Sequence, residues 1–96
     1  MKIVYQNNEE RFDFDSMNKG YREDVYVYLE NKKYKLSIYT ITRLNQDFEM
    51  EIKEYGFFQM PINLILVEDI SKDIINNTIC ELCKRNFFEG MVECQD

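Results

Sequence analysis

Two short segments in which apolar and polar residues alternate constrain the fold of this chain more than any other feature. Residues 24–30 place three aliphatic side chains on one face of a strand, and Tyr26 and Tyr28 on the other. Residues 34–39 repeat the alternation, and the polar residues 31–33 lie between the two segments. The pattern therefore predicts a β-hairpin. Its apolar face consists of Val25, Val27, Leu29, Tyr34, Leu36 and Ile38.

The length of the hairpin loop decides which side chains share a face of the sheet. Only an even number of loop residues keeps both apolar sets on the same side. A two-residue turn at Asn31 and Lys32 pairs Val27 with Leu36, and a four-residue loop keeps the same pairs. Lys32 is not an ideal residue for a type I′ turn, so the sequence leaves the turn type open.

The segments around the hairpin carry weaker signals. Residues 3–5 fit a short strand, and the aromatic–polar alternation of residues 11–15 fits a half-buried one. Residues 43–55 are ambiguous, because they combine alternation with apolar residues at helical spacing; we favour a strand from Phe48. Residues 63–68 form a nearly continuous apolar run, which predicts a central strand buried on both faces.

The C-terminal part of the chain has the pattern of an amphipathic helix. Ser71 is a suitable N-cap, and Asn86 can take the left-handed conformation that ends a helix. The apolar stripe consists of Ile75, Ile79, Leu82 and Cys83. We therefore expect an α+β fold in two layers, with residues 1–96 in a single domain. A mostly antiparallel β-sheet would carry one C-terminal helix packed on one face.

The composition argues against an enzyme. The chain contains no histidine, so it lacks the commonest general acid/base and the commonest metal ligand. Its three glycines, Gly20, Gly56 and Gly90, are too far apart to form a phosphate-binding loop. Pairs of acidic residues are plentiful, but their positions predict side chains that face water. We expect no catalytic residues and no cofactor.

The cysteines allow three interpretations. Cys80 and Cys83 form a C-x-x-C pair, and Cys94 is a third cysteine. A redox pair needs a thiolate at a helix N-terminus, whereas this pair lies in the C-terminal half of the predicted helix. A zinc site needs a fourth ligand, which no histidine supplies. A buried core cysteine at Cys83 is the interpretation we favour, without metal.

The charge balance indicates the kind of partner. The chain has 18 acidic and 12 basic residues, a formal net charge of −6. Such a surface repels nucleic acids and anionic membranes and attracts a basic protein. The sequence shows no signal-peptide pattern and no membrane-spanning run, and the odd number of cysteines argues for a reducing compartment. We expect a cytoplasmic protein, whose oligomeric state the sequence leaves open.

The aromatic residues suggest where a partner would bind. If the aliphatic face of the hairpin meets the helix, then Tyr26, Tyr28 and Tyr39 stand on the opposite face. Glu49 and Glu51 would lie beside them if the third strand pairs as predicted. Tyrosines are enriched at binding hot spots, so these five residues form the predicted partner-binding surface. The alternative is that the N-terminal segment covers this face and makes it core.

The order of these segments resembles a known class of proteins. The resemblance rests on four segments: the strand at residues 34–40, the connection at Arg43 and Leu44, the strand at 63–68, and the helix at 74–82 followed by two phenylalanines. The resemblance extends over residues 22–90. The pattern there is similar to that of the small immunity proteins of bacterial polymorphic-toxin and contact-dependent growth-inhibition systems. The resemblance implies a cytoplasmic protein that neutralises a cognate toxin domain, often a nuclease, by occluding its active site. The alternative is a non-catalytic adaptor or regulatory subunit.

Overall fold

Four strands form one mixed β-sheet, in the order β1-β2-β3-β4, in the computed structural model, which describes residues 1–95. The strands are β1 Lys2–Tyr5, β2 Tyr21–Leu29, β3 Lys32–Tyr39 and β4 Leu64–Leu66. The helices are α1 Glu10–Lys19, α2 Ile41–Tyr55 and α3 Lys72–Lys84, followed by a 3-10 turn at Phe87–Gly90. The first three strands are antiparallel, whereas β4 runs parallel to β3. A parallel neighbour requires a crossover, and α2 is that crossover.

The fold is α+β, but the predicted arrangement is wrong in two respects. Two helices, α1 and α2, precede the C-terminal helix, and the sheet is mixed because β4 is parallel to its neighbour. The predicted strand from Phe48 is part of α2. Capping decided this ambiguous segment: the Thr40 side chain accepts a hydrogen bond from the Arg43 amide at 3.3 Å, and Gly56 ends the helix with a φ of 80°.

The predicted strand at residues 11–15 is also wrong, since these residues lie in α1. In a helix, residues four apart share a face, so Phe12 and Ser16 face the sheet together while Phe14 is exposed. The alternation of Phe12 and Phe14 therefore did not reflect a common buried face. Gly20 ends α1 in the left-handed region, and its amide donates to the Ser16 carbonyl at 2.9 Å.

The predicted hairpin is confirmed, with a different register. Glu30 and Asn31 form the turn, with φ values of 51° and 65°, as a type I′ turn requires. Val27 consequently pairs with Tyr34 and not with Leu36. The pairing differs from the expected one by two residues, an even shift, so every side chain keeps its predicted face.

The hydrophobic core lies between one face of the sheet and α3. Ile75 and Ile79 of α3 are fully buried against the aliphatic face of the hairpin. The predicted N-cap is confirmed, because the Ser71 hydroxyl accepts from the Ile74 amide at 3.2 Å. After the helix, the Phe88 ring folds back onto Tyr34, with 5.2 Å between ring centroids. The core residues are Val25, Val27, Tyr34, Leu36, Ile38, Ile70, Ile75, Ile79 and Phe88.

The predicted central strand at residues 63–68 is wrong. β4 contains three residues and lies at the edge of the sheet, where Leu66 is 47% exposed. The rest of the outer edge of β3 is occupied by other groups. The Cys94 amide donates to the Lys33 carbonyl at 2.7 Å, and the Asn63 side chain donates to the Lys35 carbonyl at 3.0 Å. The nearly continuous apolar run at residues 63–68 therefore forms a short parallel strand at the edge of the sheet and not a central strand.

Two glycines with almost the same backbone conformation allow a controlled test of local packing. A Cβ atom at Gly20, where φ is +78°, would lie 2.8 Å from the Thr40 hydroxyl oxygen, whereas one at Gly56, where φ is +80°, would meet nothing within 4 Å. We expect Gly56→Ala to lower the free energy of unfolding by about 1 kcal/mol through backbone strain alone. Gly20→Ala adds the steric conflict and should cost about 2–4 kcal/mol in urea unfolding. Equal losses would mean that Thr40 moves aside at no cost.

Candidate functional site

A buried arginine forms the densest cluster of charges in residues 1–95. Arg22 is 1% exposed, and it donates to both carboxylate oxygens of Asp24, at 2.7 and 2.9 Å. It also donates to Asp13 of α1 at 3.0 Å. The rings of Tyr5 and Phe12 lie 4.7 and 5.2 Å from the guanidinium carbon. The cluster thus joins α1 to the sheet, and its donors are already used within the chain.

The same cluster predicts how stability depends on pH. Partial burial raises the pKa of Asp13, but hydrogen bonds from Arg22 and Lys72 lower it by more than burial raises it. The pKa of Asp13 therefore lies below its usual value. A carboxyl with a lowered pKa stabilises the fold above its unfolded value of about 4 and loses that contribution as the pH falls. We therefore expect the unfolding midpoint to drop on acidification below about pH 4, and to drop less steeply in Asp13→Asn. Equal slopes for the two proteins would contradict this assignment.

The cysteines are placed on and beside α3. Cys80 is exposed, while Cys83 is half-buried and packs against the core together with Leu82. Cys94 lies beside the outer edge of β3. In the described part of the chain, no three Cys, Asp or Glu side chains come together in a way that could hold a metal ion.

The tyrosines predicted to bind a partner differ in accessibility. Tyr28 is 41% exposed and Tyr26 is half-buried, both on the face opposite α3. Tyr39 is only 6% exposed, and its ring packs 5.3 Å from that of Tyr21. Burial raises the pKa of Tyr39 to about 12. Tyr39 lies at the end of β3, directly before α2, so its side chain belongs to the interior and not to the accessible surface.

The neighbours of the two accessible tyrosines are basic, contrary to the sequence-based expectation. Lys2 and Lys33 lie opposite Tyr28 on the two flanking strands, and Lys35 lies opposite Tyr26. The Lys33 ammonium is 4.9 Å from the Tyr26 ring centroid and 5.8 Å from that of Tyr28. The open sheet face is therefore a lysine–tyrosine surface, without the carboxylates that were expected there.

The carboxylates expected on the sheet lie instead on α2. Glu49 and Glu51 belong to this helix, because the strand that was to carry them does not form. Phe48, Ile52 and Tyr55 follow one another at helical spacing and form a stripe between the two glutamates. The predicted grouping of tyrosines and glutamates is thus split between two surfaces.

The apolar stripe of α2 is exposed. Leu44 is the buried residue of α2, all of which lies in the described part of the chain, and beyond it Phe48, Ile52 and Tyr55 are 48, 39 and 64% exposed. We call the surface formed by Phe48, Glu49, Glu51, Ile52 and Tyr55 the α2 surface. The helical spacing of Leu44, Phe48, Ile52 and Tyr55 is visible in the sequence, and it is the signal by which this surface can be found.

Exposed apolar side chains continue into the connection after α2. Of the fifteen large hydrophobic residues that are exposed within residues 1–95, nine lie between residues 41 and 66. They are Ile41, Phe48, Met50, Ile52, Tyr55, Phe57, Met60, Ile62 and Leu66. The Phe58 ring packs edge-on to Phe48 at 6.1 Å and so links the connection to the helix. Exposed apolar side chains are thus concentrated in this part of the sequence, and on α2 Phe48, Ile52 and Tyr55 share one face.

The cleft beside β3 offers little for catalysis. A cleft of about 330 Å³ lies between β3 and the C-terminal residues, and Ser37 and Lys35 contribute to its wall. The Ser37 hydroxyl donates to the Ile62 carbonyl at 3.0 Å, so its proton points to a backbone acceptor and not to a side-chain base.

Two further findings bear on the function. Within residues 1–95, the helices are too short or too polar for any of them to cross a lipid bilayer. Comparison of the chain with protein-family models, with curated proteins and with solved structures finds no match.

Proposed function

We propose that this chain is a non-catalytic inhibitor of the immunity-protein type, which binds a basic toxin domain in the cytoplasm and occludes its active site. The observation that carries the proposal is the α2 surface, where Phe48, Ile52 and Tyr55 are exposed beside Glu49 and Glu51. Exposed aromatic and aliphatic side chains next to carboxylates suit a partly apolar, basic cleft.

The distribution of charge supports a protein partner of this kind. The formal net charge of the chain is −6; Lys2, Lys33 and Lys35 lie on the open sheet face, and Glu49, Glu51 and Glu54 lie on α2. A basic toxin domain would be steered towards the acidic side of the molecule, which raises the rate of association. Inhibition by occlusion requires a binding surface and no catalytic group. The described side chains of α2 offer such a surface.

Co-expression tests the proposal. The probe is the C-terminal domain of the protein that the neighbouring upstream gene encodes, because the resemblance to immunity proteins leads us to expect a cognate toxin there. We expect this domain alone to stop growth, and the chain to restore growth and to inhibit the purified domain at a one-to-one ratio. Tight binding without inhibition would favour the adaptor function, and the absence of binding would refute the proposal.

A further inference from the structure

We infer that α2 is the element that docks: the helix from Phe48 to Tyr55 enters an apolar groove of the partner whose rim carries lysine or arginine. The identity of the partner as a toxin domain rests on the proposed function. The docking mode rests on the helix itself. It differs from the sheet-face surface that the sequence suggested, since it excludes Tyr26 and Tyr28 from the contact.

The first argument is that the C-terminal half of α2 lacks the packing that normally holds a helix. Helices of this length are marginal in water, and most of their stability comes from burial of an apolar face. Leu44 supplies that burial near the start of α2, while Phe48, Ile52 and Tyr55 leave large fractions of their side chains in water. Capping by Thr40 and Gly56 fixes the two ends but covers no apolar surface. The stripe is therefore complete as a helix face and only partly covered: the Phe58 ring packs edge-on to Phe48, while much of Ile52 and Tyr55 remains exposed.

The second argument concerns charge, which selects the occupant. Glu49 and Glu51 flank the stripe, and Glu54 follows within the same turn, against the single cation Lys53. A second copy packed symmetrically on α2 would bring the two acidic rims together, which is unfavourable. A groove with a basic rim would meet these carboxylates with opposite charge.

The third argument is the contrast with the open sheet face. Tyr28 is accessible there, but its neighbours across the strands are Lys2 and Lys33. On that face a basic partner would approach three lysines against the carboxylate of Glu23, whereas on the C-terminal half of α2 it would approach three glutamates against Lys53. Like charges suppress a contact, so the same partner that fits α2 is turned away from the sheet.

The matched variants are Phe48→Ala with Ile52→Ala on α2, and Tyr28→Ala on the sheet. All three side chains are partly exposed, so we expect each protein to keep the unfolding cooperativity of the wild type. The α2 double variant should bind the purified toxin domain at least about 100-fold more weakly, as loss of central hot-spot residues does. Tyr28→Ala should stay within about threefold of wild-type affinity. Glu49→Lys with Glu51→Lys should slow association about tenfold or more at low salt, with a smaller change in dissociation.

Hydrogen exchange provides a readout that does not depend on substitutions. In the wild-type complex, amides from Phe48 to Gly56 should become protected relative to the free chain, because the docked helix half no longer frays. Protection of β1 and β2 around Tyr26 and Tyr28, with α2 unchanged, would overturn the inference. Inhibition of the toxin domain by the α2 double variant at the wild-type level would also overturn the inference, but it would not contradict the proposed inhibitor function.

Light scattering of the free chain tests whether a second copy of the chain covers the apolar stripe of α2. We expect a mass that does not increase with concentration over the range used for binding. A dimer that dissociates in Phe48→Ala with Ile52→Ala would show that a second copy covers the stripe, and would overturn the inference of a basic partner. If the wild-type chain fails to bind the toxin domain at all, the proposed function fails, and this is distinguishable from failure of the docking mode.

Discussion

Replacing Arg22 by methionine should lower the free energy of unfolding by about 3–5 kcal/mol. The side chain is almost completely buried, and its guanidinium holds Asp24 through two hydrogen bonds and Asp13 through a third. Methionine fills part of the volume but leaves Asp24 without its cation and Asp13 with Lys72 as its remaining cation. Asp24 is itself buried, so an uncompensated charge would remain in a poorly solvated site.

Denaturant unfolding of four variants separates this effect from a general loss of charge. Arg85→Met removes an exposed pair with Glu81, whose atoms are 3.2 Å apart, and should change stability by no more than about 0.5 kcal/mol. Asp24→Asn should cost less in the Arg22→Met background than in the wild type, because the charge that it removes is then already unpaired. A loss below about 1 kcal/mol for Arg22→Met would mean that water reaches the cluster and that it does not join α1 to the sheet.

The Arg22 cluster also shows why part of the fold escaped sequence-based prediction. Within the alternation of β2, a register shift between Arg22 and Val25 brings Arg22 opposite Ile38. Sequence periodicity counts residues and cannot register such an irregularity. One of the two carboxylate partners of Arg22, Asp13, also lies on a helix that was expected to be a strand. Charged residues with long-range partners carry no local signal of their burial.

The predictable elements were those in which local pattern and burial agree. The hairpin and α3 each bury one regular face, at a period of two residues and at helical spacing respectively, and both were predicted with the correct inward side. Phe48 to Ile52 fits either period, and the decision came from Thr40 and Gly56 at the two ends. Caps thus carried more information about this segment than the apolar pattern did.

The candidate site was predictable in kind and not in place. An acidic surface with exposed aromatic residues was expected, and such a surface exists, but on α2. Glu49 and Glu51 were expected beside the tyrosines of the sheet, whereas they flank the stripe of Phe48, Ile52 and Tyr55 on α2. An error in one secondary-structure element moved Glu49 and Glu51 from the sheet to a crossover helix. Lys33 and Lys35 alternate with the inward residues of β3, so strand parity alone places them on the face of Tyr26 and Tyr28; only Lys2 required the pairing of β1 with β2.

The second large effect should come from Leu36→Ala, which we expect to lower the free energy of unfolding by about 2–5 kcal/mol. Leu36 is fully buried opposite Val25, in the core that α3 closes, and the space left by its side chain would have few ways to collapse. Leu66→Ala is the matched control: the same atoms are removed from a side chain that is 47% exposed on the edge strand, so the loss should stay within about 1 kcal/mol. Urea midpoints at constant m-value measure both losses. Equal losses of stability in Leu36→Ala and Leu66→Ala would mean that Leu66 lies in a buried central strand, as its apolar neighbours in the sequence suggest. The edge of the sheet at β4 would then have to be covered.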